Sequence, residues 1–225
     1  MNGFIIVIEG TDGCGKQTQS AKLYQKLKSL GKNVVTQSFP NYDSISSGPA
    51  KMYLGGELGK DPNDLTAQQA SLLFAVDRFC TFKKLGIHYE NGGIIVLDRY
   101  TTSNMLHQGC KIKDLTKRDM FLSWLENLEF NELKLPRPDK VIFLDLPPKM
   151  SKKLANDRCL LKAGTKNDIH EQNKSHLIDA YEAGKYVAQK FGWDIINCLN
   201  KNGTLKSIDK IHNEILKTMC NIIGE

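Results

Sequence analysis

The feature that most constrains how this chain folds is a glycine-rich loop near its N-terminus. Residues 10–16 have the spacing G-x-x-x-x-G-K, directly after an apolar run at residues 4–9 and at the start of a helical pattern that extends to about residue 30. Glycines let successive backbone N–H groups turn toward phosphate oxygens, and the first turn of a helix adds unpaired N–H donors. Because Lys16 adds a positive charge for the β- and γ-phosphates, the segment predicts a loop that binds a nucleoside triphosphate.

Strand and helix patterns alternate along the whole chain. Apolar runs typical of buried parallel strands lie at residues 4–9, 33–38, 94–98, 141–146 and 193–197. Helical patterns lie at about residues 15–30, 49–54, 66–89, 116–128, 151–161 and 168–190, and a last one carries Ile208, Ile211, Ile215 and Met219. We therefore predict an α/β fold in which residues 1–225 form a single domain around a five-stranded parallel sheet flanked by helices. Ligands of such sheets bind beyond the carboxyl ends of the strands.

Composition and charge exclude few classes of function. The net charge of +6 suits an enzyme with phosphorylated substrates, and it also suits a nucleic-acid-binding protein. Since no aromatic–basic motif of the RNA-binding type is present, we expect no nucleic-acid partner. The first apolar run is too short for a membrane span and follows no basic segment, so we expect neither membrane association nor a targeting segment.

The spacing of cysteines and histidines argues against a structural metal. None of the six cysteines belongs to a C-x-x-C pair, and the five histidines lack the spacing of metal ligands. His170 and His176 lie six residues apart, which does not place them on one face of a helix. We therefore expect free thiols in a reducing cytoplasm and no metal cage of cysteine or histidine.

An acid and an arginine end the third predicted strand. Residues 94–97 are apolar and are followed by Asp98 and Arg99. A buried strand that delivers a carboxylate beside a phosphate loop has the Walker-B pattern, so Asp98 is a candidate to hold Mg²⁺ through water. Arg99 can bind phosphate oxygens with two N–H groups. The alternative interpretation is a salt bridge at the end of the strand.

The helix predicted at residues 66–89 carries an aromatic ring on its polar side. Its apolar face is predicted to consist of Leu72, Ala75, Val76 and Phe79. Phe74 and Arg78 are four residues apart on roughly the opposite face. A ring beside a guanidinium suits stacking on a nucleotide base and hydrogen bonding to its carbonyl edge. A second packing face is the alternative.

Together these motifs resemble those of the thymidylate kinase (dTMP kinase) family of P-loop nucleoside monophosphate kinases, over nearly the whole chain. The resemblance rests on residues 9–16, Phe39-Pro40, residues 73–78 and residues 98–100. It implies a three-layer P-loop NTPase fold with a short lid at about residues 157–168. It also implies transfer of the γ-phosphate of ATP to dTMP in dTTP synthesis, with Mg²⁺ as cofactor and usually a homodimer.

The resemblance also implies site residues. The loop residues implied to bind ATP are Gly10, Thr11, Asp12, Gly13, Cys14, Gly15, Lys16, Gln17 and Thr18. Those implied to bind dTMP are Asp12, Phe39, Phe74, Arg78, Arg99, Ser103, His107 and Gln108. Asp12 would contact the sugar 3′-hydroxyl, Phe74 would stack on thymine and Arg78 would bond its O4. Arg99 would bind the acceptor phosphate, and Ser103 and Gln108 would lie in a loop below the base. The charge of the transferred group would be stabilised by Lys16, Arg99 and a lid cation, Arg158, with Mg²⁺ near Asp98 and Gln17.

The sequence departs from the pattern of the family at four positions. Gln17 stands where Ser or Thr normally holds Mg²⁺, and Tyr42 stands where many members have an arginine. Gly13 stands where some members have an arginine in the loop. Members of a second type lack this arginine and have a basic residue in the lid instead. Arg158, Lys162 and Lys166 are all candidates for that role. His107 replaces a tyrosine that often lies under the deoxyribose.

Two other readings of the phosphate loop stay open. Another P-loop kinase could act on a different nucleotide or on a nucleoside, in which case Glu9 is the candidate base for a 5′-hydroxyl. A non-catalytic nucleotide-binding module is the second alternative, and Gln17 is the residue that most favours it. A GTPase would carry an N-K-x-D segment, which the sequence lacks.

Overall fold

The computed structural model of this protein describes residues 2–151, 154 and 169–219. Its centre is a parallel sheet of five strands in the order β2-β3-β1-β4-β5. The strands are β1 (Phe4–Glu9), β2 (Val34–Ser38), β3 (Ile94–Asp98), β4 (Lys140–Asp145) and β5 (Asp194–Asn197). Each strand coincides with a predicted apolar run to within one residue at either end. The prediction of a five-stranded parallel sheet is confirmed.

Helices connect the strands. They are α1 (Lys16–Ser29), α2 (Gly48–Leu54), α3 (Ala67–Glu90), α4 (Thr101–His107), α5 (Leu115–Glu126), α6 (Ile169–Gln172), α7 (Lys174–Lys190) and α8 (Ile208–Lys217). A π-helix, Asn127–Glu132, continues α5. Thr66 caps α3 in a capping box with Gln69, where the sequence predicts the helix to begin.

Two expectations about helices are wrong. The helix predicted over residues 168–190 is divided, because the Asn173 side chain accepts a hydrogen bond from the backbone N–H of His176 (3.0 Å) and caps α7. The helix α4 contains Ser103, which the family resemblance implied to lie in a loop. Of the helix predicted at residues 151–161 the structure describes only Ser151 and Leu154, and the predicted lid lies outside the described residues.

Successive side chains of the sheet pack into separate cores on its two faces, as the period of a strand requires. On one face Ile6 and Ile8 pack with residues of α1 and α8, which include Leu23 and Ile211. On the other face Ile5 and Val7 belong to a cluster that includes Phe39, Phe82, Ile95, Leu97 and Tyr100. Helices therefore cover both faces, and the sheet is the middle of three layers.

The buried face of α3 is not the one that the sequence predicts. Leu72 and Val76 are 44% and 48% exposed, while Ala75 and Arg78 are buried. The helix buries Arg78 and Asp77 in polar contacts, so apolar periodicity alone gives the wrong orientation. An apolar stripe of Leu72, Val76 and half-buried Phe79 is left facing outward.

Among residues 2–151, 154 and 169–219, no helix has the length and apolar character that crossing a membrane requires. Cys14, Cys80, Cys110 and Cys198 are free thiols, as expected from their spacing.

Candidate active site

The phosphate loop connects β1 to α1. Residues 10–15 form the loop, and Lys16, Gln17 and Thr18 form the first turn of the helix. Gly10 has φ 148°, and a Cβ atom there would lie 2.6 Å from Cys14 Sγ and 3.0 Å from the carbonyl oxygen of Leu144. Gly15 has φ 102° and has no side chain that could cap the helix. The first N–H groups of α1 therefore stay available for a phosphate ligand.

Lys16 is held over this loop. Its side chain is buried, and Nζ donates a hydrogen bond to the carbonyl oxygen of Thr11 (2.8 Å). The same atom lies 3.9 Å from Asp12 Oδ1. The ammonium group thus lies against the phosphate loop, as a clamp on terminal phosphates requires.

Asp98 lies beside the phosphate loop, as its position in the sequence predicts. It ends β3 in register with Ile8 of β1. The residue is 9% exposed, and its Oδ1 has no hydrogen-bond partner among the residues that the structure describes. Gln17 adds an exposed amide oxygen in the first turn of α1. A buried, unpartnered carboxylate oxygen is a hard ligand of the kind that Mg²⁺ takes, so these residues fit that ion.

Arg99 links the phosphate loop to α4. Its Nη2 donates a hydrogen bond to Asp12 Oδ1, and its Nη1 donates one to His107 Nε2 (3.1 Å). Nη1 also lies 3.9 Å from Glu9 Oε1. The residue has φ 69°, a left-handed conformation that costs a non-glycine residue about 1–2 kcal/mol. Strain of this kind is concentrated at functional sites.

Asp12 and Arg99 each shift the pKa of the other. Burial alone would raise the pKa of Asp12, but Arg99 and Lys16 outweigh it and hold that pKa well below its usual range. Burial opposes the charge of Arg99, yet Asp12 and Glu9 raise its pKa above the usual value. Both groups are therefore ionised at neutral pH.

Glu9 lies between the phosphate loop and α4. Its one individual role predicted from the sequence is that of a base for a nucleoside. It is fully buried at the end of β1. Its carboxylate accepts hydrogen bonds from Gly10 N (2.9 Å), Thr102 Oγ1 (2.7 Å) and Ser103 Oγ (2.7 Å). Glu9 therefore ties the phosphate loop to the start of α4.

A pocket of about 190 Å³ opens next to Arg99 and contains every residue implied for the acceptor nucleotide. Those residues are Asp12, Phe39, Phe74, Arg78, Arg99, Ser103, His107 and Gln108. One expectation about them is wrong, since Ser103 belongs to α4 and Gln108 directly follows that helix, where the resemblance implied a loop. His107 is the last residue of the same helix. A helix fixes the spacing of these side chains more tightly than a loop would.

Glu129 holds Arg78 in this pocket, a role that was not predicted from the sequence. The glutamate is fully buried in the π-helix and accepts hydrogen bonds from Arg78 Nε (2.7 Å) and Nη2. Arg78 Nη1 donates to the carbonyl oxygen of Tyr100 (3.4 Å). The guanidinium plane is therefore fixed from behind, with N–H groups left over for a ligand. One glutamate in a helical segment gives no sequence signal for this role.

Gln108 and Asp77 complete the pocket. Gln108 is 1% exposed, and neither its amide oxygen nor its amide nitrogen has a partner among the described residues. Asp77 accepts hydrogen bonds from Asn41 N (2.7 Å) and Ser46 Oγ (2.7 Å), which hold the segment after the cis Phe39–Pro40 bond against α3. The unpartnered amide in the wall suits a ligand with both donors and acceptors.

Three histidines meet at the inner side of the pocket, contrary to what their spacing indicates. His107, His170 and His176 come from α4, α6 and α7 and are all buried. Sequence separation gives no signal, because three different helices bring them together. Arg158, Lys162 and Lys166 lie outside the described residues, so the lid cation stays a prediction.

Comparison with known proteins finds close matches to one family. The family model described as thymidylate kinase matches residues 8–205. A probable thymidylate kinase of Thermococcus onnurineus is 33% identical over 215 residues, which are 94% of this chain and 94% of that protein. A thymidylate kinase of Mycobacterium tuberculosis is 28% identical over 170 residues, which are 75% of this chain and 78% of that protein.

The fold agrees with this assignment. The solved structure of thymidylate kinase from Candida albicans aligns with a TM-score of 0.72 at 21% identity, over 100% of this chain and 94% of that chain. The likeness shows the three-layer P-loop NTPase fold that the sequence predicts. Since the family model spans most of the sequence and a relative is 33% identical along nearly its whole length, the chain belongs to the thymidylate kinase family.

Proposed function

We propose that this protein transfers the γ-phosphate of ATP to dTMP, which yields dTDP for the synthesis of dTTP. The observation that carries the proposal is the Asp12–Arg99 hydrogen bond, which joins a phosphate loop to the pocket lined by Phe74 and Arg78. A kinase needs two phosphates brought together in line, and this contact lies between the two subsites. Membership of the thymidylate kinase family supports dTMP as the acceptor.

On the donor side, the loop N–H groups and Lys16 bind the β- and γ-phosphates of ATP. Lys16 gives up its hydrogen bond to Thr11 and moves its charge onto phosphate oxygens. Asp98, with Gln17 nearby, would hold Mg²⁺, and the ion would neutralise negative charge on the phosphates. The unpartnered Oδ1 of Asp98 supports this role.

On the acceptor side, Arg99 binds the phosphate of dTMP and Asp12 contacts the sugar 3′-hydroxyl. Phe74 stacks on thymine, and the guanidinium of Arg78 donates to O4. Gln108 has an unpaired donor and an unpaired acceptor, so it can satisfy the imide edge of the base. Phe39 and Ser103 line the pocket, and His107 occupies the position under the deoxyribose.

The proposed reaction needs no general base, because the acceptor phosphate is already an anion at neutral pH. Glu9 is the only carboxylate at the end of β1, and three hydrogen bonds already occupy it. That occupation disfavours a nucleoside kinase, in which a free carboxylate would take the proton of a 5′-hydroxyl. Lys16, Arg99 and the predicted lid cation, Arg158, stabilise the charge of the transferred group.

The experiment is an acceptor panel with ATP and Mg²⁺, in which ADP is detected by a coupled assay. The proposal expects dTMP to give the highest kcat/KM among dTMP, dUMP, dCMP, dGMP and thymidine. Thymidine as the best acceptor would make the protein a nucleoside kinase. ATP binding without ADP release in the presence of any acceptor would make it a non-catalytic binding module.

Two further expectations accompany this function. We propose that the protein is a homodimer, supported by the outward-facing apolar stripe of α3, with Leu72 44% and Val76 48% exposed. A cytoplasmic location stays a prediction, which the free thiols of the described residues support.

A further inference from the structure

Three buried imidazole rings converge beside the acceptor pocket. One nitrogen atom from each of His107, His170 and His176 lies within 4.8 Å of the other two. The ring centroids are 4.3 Å apart for His170 and His176, 5.5 Å for His107 and His170, and 6.0 Å for His107 and His176. The phosphoryl transfer proposed above gives no role to His170 or His176.

One contact and one unpartnered nitrogen define the surroundings of His176. Burial raises the pKa of the Cys110 thiol to about 12, and the thiol donates to the carbonyl oxygen of His107 (3.3 Å). Cys110 Sγ also lies 3.6 Å from His176 Nδ1. His176 Nε2 is buried and has no partner among the described residues.

His170 also has a polar neighbour. The Tyr53 hydroxyl donates to the carbonyl oxygen of Pro62 (2.9 Å), accepts from Lys111 Nζ (3.0 Å) and lies 3.1 Å from His170 Nε2. Histidines that bind metals usually donate their other ring N–H to a fixed acceptor.

The protonation of the cluster also suits metal binding. Burial lowers the pKa of His176 to about 4 and holds the pKa of His107 and that of His170 well below the usual value. All three rings are therefore neutral at pH 7, which is the form in which imidazole binds a metal.

We propose that His107, His170 and His176 form a binding site for a divalent transition-metal ion with imidazole preference, Zn²⁺ first, separate from the Mg²⁺ of phosphoryl transfer. Three neutral imidazoles favour Zn²⁺, Co²⁺ or Cu²⁺ over Mg²⁺, which prefers oxygen. Tetrahedral Zn²⁺ with Zn–N bonds of about 2.0–2.1 Å holds its nitrogens about 3.4 Å apart, so small side-chain rotations close the site. Three protein ligands leave one position for water or another oxygen ligand.

His107 is the ligand that has to change its contact. Its Nε2 accepts a hydrogen bond from Arg99, and its Nδ1 is buried without a partner among the described residues. Neutral imidazole has only one lone pair on nitrogen, so metal binding and the Arg99–His107 hydrogen bond exclude each other. Arg99→Ala should therefore leave the affinity for the ion intact or raise it.

Charged groups of both signs and two cavities surround the three histidines. Asp12 acts electrostatically on all three rings, and Asp61 and Asp179 act on His176, against the positive charges of Lys111, Lys16 and Arg99. His107 and His170 line the acceptor pocket. His176 also lines a cleft of about 50 Å³ on its other side, between Asn63, Cys110 and Ser175.

The test is a titration of the full-length, tag-free protein with Zn²⁺ by calorimetry and with Co²⁺ by absorbance. We expect one ion per chain, with a nitrogen-ligand spectrum that lacks thiolate charge-transfer bands. His170→Gln and His176→Gln should each weaken binding more than about 100-fold, since losing a ligand costs more than an outer-shell change. His212→Gln, on α8, is the matched control and should bind like the wild type.

Folding of the variants is checked by circular dichroism, because both histidines are buried. X-ray absorption of the wild-type protein with one equivalent of Zn²⁺ needs no variant and should show three imidazole ligands. Absence of saturable binding, sulfur ligation, or unchanged affinity in both histidine variants would overturn the proposal. In that case the cluster only packs the inner wall of the pocket.

Discussion

Arg99 and Asp12 form a half-buried ion pair across the boundary between the phosphate loop and the acceptor pocket. Each residue follows the end of a strand, and the parallel register of β1 and β3 puts the two strand ends side by side. The pair therefore exists because two distant segments end at the same edge of the sheet. Because the charge of Arg99 is paired with that of Asp12 in the free protein, an incoming phosphate has to compete with the Asp12 carboxylate for Arg99.

The first prediction concerns Lys16. Replacing it by alanine removes the only positively charged side chain of residues 10–16. We expect kcat/KM to fall by about 10²–10³-fold, as for the loss of other preorganised groups that stabilise transition-state charge. Lys22→Ala in the same helix is the control, because Lys22 pairs with exposed Asp209 and not with the loop. Near-normal turnover by the Lys16 variant would mean that the loop is not the donor site.

Much of the fold follows from the sequence because buried parallel strands are continuous apolar runs. All five strands of the sheet were predictable on that basis. The orientation of α3 was not, because its inner face is polar. Arg78 and Asp77 are buried because they form hydrogen bonds with specific partners. A pattern of apolar residues gives no information about such polar pairs.

The residues of the site likewise fall into those that could be predicted from the sequence and those that could not. Motif residues such as Lys16, Asp98 and Arg99 come from short segments with fixed local geometry, so their positions could be predicted. Glu129 and the three clustered histidines could not be, because each reaches the site through packing between helices that are far apart in the sequence.

The second prediction concerns selection of the base. Arg78→Ala removes the donor proposed for O4, so the preference for dTMP and dUMP over dCMP should fall by roughly 10-fold or more, as for other lost polar contacts to a substrate. The variant also removes the cation that pairs with buried Glu129, which keeps only the neutral amide of Asn104 (3.2 Å) among its described partners. Breaking a buried ion pair typically costs about 3–5 kcal/mol of stability. The ratios of kcat/KM for the three nucleotides should be measured below the melting temperature of the variant.

Glu129→Gln provides a companion to that measurement. It keeps the shape of the side chain and weakens the orientation of Arg78 without removing the guanidinium. We expect a smaller loss of selectivity than in Arg78→Ala, with an increase in KM for dTMP. If both variants keep the preference of the wild type among the three nucleotides, Arg78 does not read the base.

The third prediction concerns pH and stability in metal-free protein. The pKa of His176 is lowered to about 4 by burial, whereas a histidine in the unfolded chain titrates near 6.5. Between these values the unfolded state binds more protons than the folded state, so stability rises with pH. The contribution is therefore fully present above about pH 6.5 and is lost as the pH falls toward 4.

Urea unfolding at pH 7, 6 and 5 in the presence of a chelator measures this effect. The free energy of unfolding of the wild type should decrease across the series, and His176→Gln should show a shallower decrease. Equal slopes for His176→Gln and the wild type would show that His176 is not a buried neutral ring.

The last prediction concerns the outward face of α3. If the protein pairs through this face, a two-fold axis brings Leu72 and Val76 of one copy against the same helix of the other. Replacing both by glutamate would then place unpaired charges in an apolar interface, which is strongly unfavourable. Light scattering after gel filtration should show a dimer for the wild type and a monomer for the double variant. Ile178→Glu is the control, because Ile178 is an apolar residue of α7 that is 55% exposed. A wild-type monomer at micromolar concentration, or a double variant that stays dimeric, would rule out pairing through this face.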